Sequence, residues 1–118
     1  MRARRPRYKT LFFFDRTVPR EIYYSVQRRL NMIGYGAVWG PRSAVARAPI
    51  EEVVAYCAAR GIPIIATFDR RLTLPPGAGV RLVRLRRGRW KSVNRILAAL
   101  FGELREVLSV PPSEPLDC

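Results

Sequence analysis

The sequence predicts an α/β fold with a mostly parallel central sheet and helices on both faces. Three observations predict it. Short apolar runs alternate with stretches of helical spacing. The run Ile62 to Phe68 is apolar throughout, as strands covered on both sides are. A length of 118 residues with 48% hydrophobic content makes one domain around one core.

Each element follows from its residues. Positions 1–9 form a basic arm without a core pattern, positions 10–110 the domain, and positions 111–118 a short tail beyond Pro111 and Pro112. Thr10 to Phe14 reads as a buried strand ended by Asp15. Pro19 suits the first turn of a helix, with Glu21 near its positive end. Ile22, Val26, Leu30 and Ile33 keep helical spacing until Gly34 stops it. Tyr35 to Trp39 is a second strand, and Gly40 to Pro49 a loop with at most one helical turn. Glu51 to Arg60 is a second helix with Val54, Cys57 and Ala58 on its apolar face and Gly61 closing it. Ile62 to Phe68 is the third strand, ended by Asp69, and Val80 to Leu85 the fourth. Ser92 is the expected N-cap of a last helix whose stripe is Val93, Ile96, Leu97, Leu100, Leu104 and Leu108.

Composition excludes several function classes. No apolar run approaches the ~18–20 residues that a bilayer span needs. After the basic start, Leu11 to Phe14 is too short for a signal-peptide core. A cytoplasmic protein without a membrane partner is expected. With no His in the chain, a Ser-His-Asp triad or a Cys-His pair is impossible. Two cysteines, Cys57 and Cys118, make neither a disulfide framework nor a zinc site. Hydrolysis would need carboxylates and a hard metal ion.

The formal net charge of +13 is unevenly spread. Arg2, Arg4, Arg5, Arg7 and Lys9 crowd the first nine positions without an acid. Arg70, Arg71, Arg81, Arg84, Arg86, Arg87, Arg89, Lys91 and Arg95 fall in positions 70–102, again without one. The remainder of the chain is close to neutral. All but two of the 22 basic residues are Arg, whose planar fork suits phosphate. Together these features point to a polyanion, and to nucleic acid first. The scarcity of Asn and Gln (Gln27, Asn31 and Asn94 only) matches a thermophile's composition.

Two chemistries are written into the acids and the basic loop. Asp15 and Asp69 each follow a strand, and the carboxyl ends of parallel strands share the edge where ligands bind. With Glu51 or Glu52 they would supply oxygen ligands for Mg²⁺. The alternative pairs Asp15 and Asp69 with Arg16, Arg70 or Arg71 and leaves Glu51 and Glu52 to complement a helix dipole. Arg86, Arg87, Arg89, Lys91 and Arg95 gather at the start of the last helix, where cations oppose the macrodipole unless a phosphate joins them. Trp90 in that run suits stacking on a base or a packing role equally.

Three stretches together resemble a known family. Phe13-Phe14-Asp15-Arg16-Thr17-Val18-Pro19 looks like the strand-Asp-x-x-hydrophobic-Pro opening of small PIN-like domains of the DUF5615 type. Ile64-Ile65-Ala66-Thr67-Phe68-Asp69-Arg70-Arg71-Leu72 resembles their strand-Thr-x-Asp segment, and Ile50-Glu51-Glu52-Val53 their middle helix start. The resemblance spans about residues 10–108. It implies a PIN-like three-layer fold and, for active members, an endoribonuclease that uses Mg²⁺ or Mn²⁺, often a toxin with an antitoxin partner. Carried over, Asp15, Glu51 (or Glu52) and Asp69 are the catalytic and metal-holding acids. The family's further acids fall on Arg16 and Arg71 here, which puts cations where a metal site wants anions.

The expectation is an RNA-binding PIN-like protein with a weakened or absent nuclease site, of the kind a ribonucleoprotein such as the ribosome would hold. Its expected RNA contacts are Arg2, Arg4, Arg5, Arg7, Lys9, Arg81, Arg84, Arg86, Arg87, Arg89, Trp90, Lys91 and Arg95. An active Mg²⁺-dependent endoribonuclease toxin is the alternative, with an antitoxin or a second copy as further partners. A DNA-binding regulator fits the charge but has no recognisable helix-turn-helix.

Overall fold

The computed structural model describes residues 8–86 and 93–108. The elements run β1 (Lys9–Phe14), α1 (Arg20–Asn31), β2 (Tyr35–Trp39), a 3₁₀ turn (Gly40–Arg42), α2 (Ile50–Arg60), β3 (Ile64–Thr67), β4 (Arg81–Arg84) and α3 (Val93–Leu108). The four strands form one sheet in the order β2-β1-β3-β4, and every pairing is parallel. The α/β class is as expected, and the sheet is wholly rather than mostly parallel.

Strand alternation builds the three layers. Phe12 and Phe14 of β1, with Ile64 and Ala66 of β3, face α1 and α3. Phe13 and Ile65 face the other way, onto Val53, Val54 and Cys57 of α2. Phe12, Phe13 and Phe14 are all buried, and each contributes about 1.5–3 kcal/mol by leaving water. The expected stripe of α3 is inside at Ile96, Leu97, Leu100 and Leu104. Lys9, expected in the arm, instead begins β1; Ser92, positions 1–7 of the arm, the tail and the side chain of Leu108 lie outside the described residues.

Four details differ from expectation, each for a local reason. Helix α1 ends before Ile33, which is left exposed, and Tyr23 takes the inner face instead. Tyr23 can be buried because its hydroxyl donates to Ala37 O at 2.9 Å. Helix α2 starts one residue earlier, at Ile50, so Val53 is buried and Ala58 is exposed. Strand β3 is shorter at both ends. The Ile62 N–H donates to Cys57 O to close α2, while Phe68 and Asp69 turn their N–H groups to threonine side chains.

The link from β3 to β4 holds no helix. Residues 68–80 cross the α2 face as a loop, with Leu74, Ala78 and Val80 packed on it. Gly77 and Gly79 take left-handed φ angles of 69° and 77°, which side-chain-bearing residues rarely adopt. Arg84 holds the loop by donating from Nη2 to Leu72 O at 2.8 Å. Among the described residues, no helix is long and apolar enough to cross a membrane.

Candidate functional site

Because β1 and β3 are adjacent and parallel, Asp15 and Asp69 reach the same edge of the sheet, as expected. What joins them is a pair of threonines. The Asp15 Oδ1 accepts the Thr17 N–H at 3.0 Å and the Thr17 hydroxyl at 2.5 Å. Its Oδ2 accepts the hydroxyl of Thr67, a fully buried side chain, at 2.6 Å. Each hydroxyl also accepts a backbone N–H: Thr17 Oγ1 from Phe68 at 2.8 Å and Thr67 Oγ1 from Asp69 at 2.9 Å. A hydroxyl has one proton, and both protons go to the carboxylate. The 3.2 Å contact between the two hydroxyl oxygens therefore carries none. The arrangement is a latch in which the Asp15 carboxylate ties the end of β1 to the end of β3.

The third acid does not join this edge. A cavity of about 90 Å³ opens beside Asp15 and Arg16, walled by Phe13, Val45, Ile50 and Leu72 among others. Ile50 and Val53 of α2 both line it. Helical spacing of 100° per residue turns Glu51 and Glu52 away, and both are exposed. Gly40 also lines the cavity; a Cβ there would meet Phe13 Cζ and Phe14 O at 3.2 Å each, so β2 leaves the sheet by close backbone contact.

Asp69 accepts the backbone N–H of Arg71 at 2.9 Å, a local turn rather than an ion pair with the guanidinium. Among the described residues, neither Asp15 nor Asp69 forms an ion pair, so the alternative in which they pair with Arg16, Arg70 or Arg71 is not seen. No group of three or more acidic, His or Cys side chains suited to a metal occurs among the described residues. Mg²⁺ and Mn²⁺ want several oxygen ligands. Asp15 accepts three hydrogen bonds from Thr17 and Thr67, and Glu51 is exposed on the far side of α2 from the cavity, so this donor set does not fit the expected centre.

The expected RNA contacts divide into four groups. Arg81 is neutralised from α3: its Nε donates to Glu103 Oε2 at 2.5 Å, and Nη2 lies 3.7 Å from Glu106 Oε1. The hydrogen bond and charge of Glu103 raise its pKa above the ordinary guanidinium range. Glu103 stands one position beyond the acid-free stretch, and the fold brings it back. Arg84 braces the loop after β3, as above. Lys9, Arg86 and Arg95 are exposed. Arg2, Arg4, Arg5, Arg7, Arg87, Arg89, Trp90 and Lys91 lie outside the described residues.

Sequence reasoning missed Arg28 and Arg29. They occupy the last turn of α1, and with Ser25, Met32 and Val93 they line a depression of about 290 Å³ between α1 and the start of α3. Arg29 Nη2 donates to Asn94 Oδ1 at 2.8 Å. The available signal was the pattern Ser25, Arg28, Arg29, Met32, which shares one helical face without an acid. Comparison of the chain with protein-family models, with curated proteins and with solved structures finds no match. Its function rests on the geometry above.

Proposed function

We propose that this protein binds RNA through exposed arginines and performs no metal-dependent cleavage at the sheet edge. The carrying observation is the state of its charges. The net charge is +13, and Arg16, Arg28, Arg29, Arg42, Arg47, Arg70 and Arg71 are exposed without an ion pair among the described residues. Charges left without internal partners add little to the fold and repel one another; a polyphosphate chain neutralises them and releases its counterions. Arginine supports phosphate over other anions, because its fork meets two oxygens at once. Structured RNA in the cytoplasm, including that of a ribonucleoprotein such as the ribosome, is the partner this reading favours.

Affinity for a structured RNA, measured from 50 to 200 mM salt, tests it. A fall of about 10³-fold or more is expected for a protein that contacts at least six phosphates. A shallow slope, within about tenfold, overturns the reading. The nuclease alternative is checked in the same tube with Mg²⁺ or Mn²⁺. Intact RNA is expected, and cutting that Asp15→Asn abolishes would make the sheet edge catalytic.

A further inference from the structure

We propose that the depression between α1 and α3 is where the RNA docks, holding one backbone phosphate against Arg28, Arg29 and Ser25, with the adjoining base against Met32. This rests on the RNA-binding reading and names the part of the surface that performs it.

The lining carries the argument. Its polar members, Ser25, Arg28 and Arg29, present donors, and no carboxylate lines the depression. The acid on α1, Glu21, sits in the opposite first turn. Cations at the end of a helix do complement its dipole, but that role is met by a solvated side chain. It does not require a guanidinium fixed across to a neighbouring helix, as Arg29 is fixed by Asn94. That hydrogen bond uses one N–H of five and holds the fork in place, which lowers the ordering cost of a second, ligand-facing bond. Nor does a dipole explain Met32, which is 77% exposed at the rim. A flexible thioether beside two guanidiniums suits a flat apolar base next to its phosphate.

Size and position agree. A volume of about 290 Å³ falls just below the range typical of whole small-molecule sites, so it suits one nucleotide of a longer strand. The basic residue Lys9, which begins β1, also lies at this end of the fold. The N–H of Lys9 donates to Gly34 O, three residues past α1.

The experiment compares the full chain with Arg28→Ala/Arg29→Ala, Met32→Ala and the control Arg20→Ala/Arg60→Ala, a pair of exposed arginines away from the depression, using a fluorescent structured RNA that carries an unpaired loop. The double variant at α1 should lose about tenfold or more in affinity, and its log–log salt slope should fall by about two. Met32→Ala should lose a few-fold with the slope unchanged, because it removes a stacking contact and no charge. The control should keep most of the affinity, and near-wild-type thermal midpoints should show that each variant folds. If the α1 double variant keeps both affinity and slope while the wild type binds steeply, the docking site is elsewhere and the RNA reading stands. If the wild type itself binds with no salt dependence, both fall. Displacement of the RNA by polyglutamate at equal charge concentration would show that the depression reads charge alone, and would overturn the phosphate assignment.

Discussion

The two ends of the sheet use charge in opposite ways. At the carboxyl end of β1 and β3, the Asp15 carboxylate receives three hydrogen bonds from Thr17 and Thr67, and Asp69 closes on the Arg71 backbone. At the last turn of α1, Arg28 and Arg29 meet no acid among the described residues, and the space beside them is lined by donors. A carboxylate that is hydrogen-bonded from within holds the fold together. A charge held in place but left without a counter-charge is directed at something outside. Arg81 makes the distinction within one residue type: it has the sign of Arg28, but Glu103 and Glu106 have already answered it.

The largest effect is expected in the core shared by both ends. Burial pushes the Cys57 thiol up to about 12, and burial, with the nearby Tyr24, pushes the Tyr23 hydroxyl to about 12. A raised pKa means that the folded state holds the proton more tightly than the unfolded chain does. The stabilisation is therefore complete below the ordinary thiol and phenol ranges and is lost as pH rises toward about 12. Unfolding midpoints followed from pH 8 to 12 should fall steeply above about pH 9, with both ends reporting together. At pH 7 the same burial leaves Cys57, which is 0% exposed, unreactive to thiol reagents until the chain unfolds. Rapid native labelling of Cys57 would contradict this.

The latch comes next. Thr67→Val keeps the side-chain shape but removes the donor to Asp15 and the acceptor for the Asp69 N–H, at an expected cost of about 2–3 kcal/mol in denaturant unfolding. Asp15→Asn should also destabilise, because its amide N–H₂ must face a hydroxyl that already donates. Were this edge an empty metal centre, neutralising an acid would instead leave stability unchanged or raise it. Arg28→Ala and Arg29→Ala should each cost less than about 1 kcal/mol, the loss of a cation at a helix end. Arg81→Ala is the smallest: an unchanged salt slope for RNA and little change in midpoint, because its charge is already met by Glu103. A slope reduced by about one would place Arg81 on the RNA.

Most of the fold was legible because its signals are local. The Phe12-Phe13-Phe14 run, Gly61 closing α2 with a φ of 69°, and the spacing of Ile96, Leu97, Leu100 and Leu104 each announce an element from neighbours in sequence. The loop before β4 was legible too, from the Pro and Gly residues between Leu74 and Gly79, whereas the packing of Leu74, Ala78 and Val80 on the α2 face was not, because it joins residues distant in sequence. The site divides the same way. Placing Asp15 and Asp69 at one edge needed only strand order, whereas the latch depends on hydroxyls 50 positions apart in sequence. Counting charges by segment did not foresee that Glu103 and Glu106, 22 and 25 positions away, meet Arg81, and it passed over Arg28 and Arg29, whose setting is completed by Val93 and Asn94.

The central claim is that the two ends differ in what they face: the acid edge inward, the α1–α3 depression toward RNA. Amide chemical shifts of the full chain, titrated with a short structured RNA that carries an unpaired loop in the presence of Mg²⁺, read both ends at once. The account predicts that shifts concentrate at Ser25 to Gly34 and Val93 to Arg95, while Asp15 to Val18 and Thr67 to Arg71 stay where they are. Shifts centred on Asp15, Thr67 and Asp69 that require Mg²⁺, with the end of α1 unmoved, would contradict it.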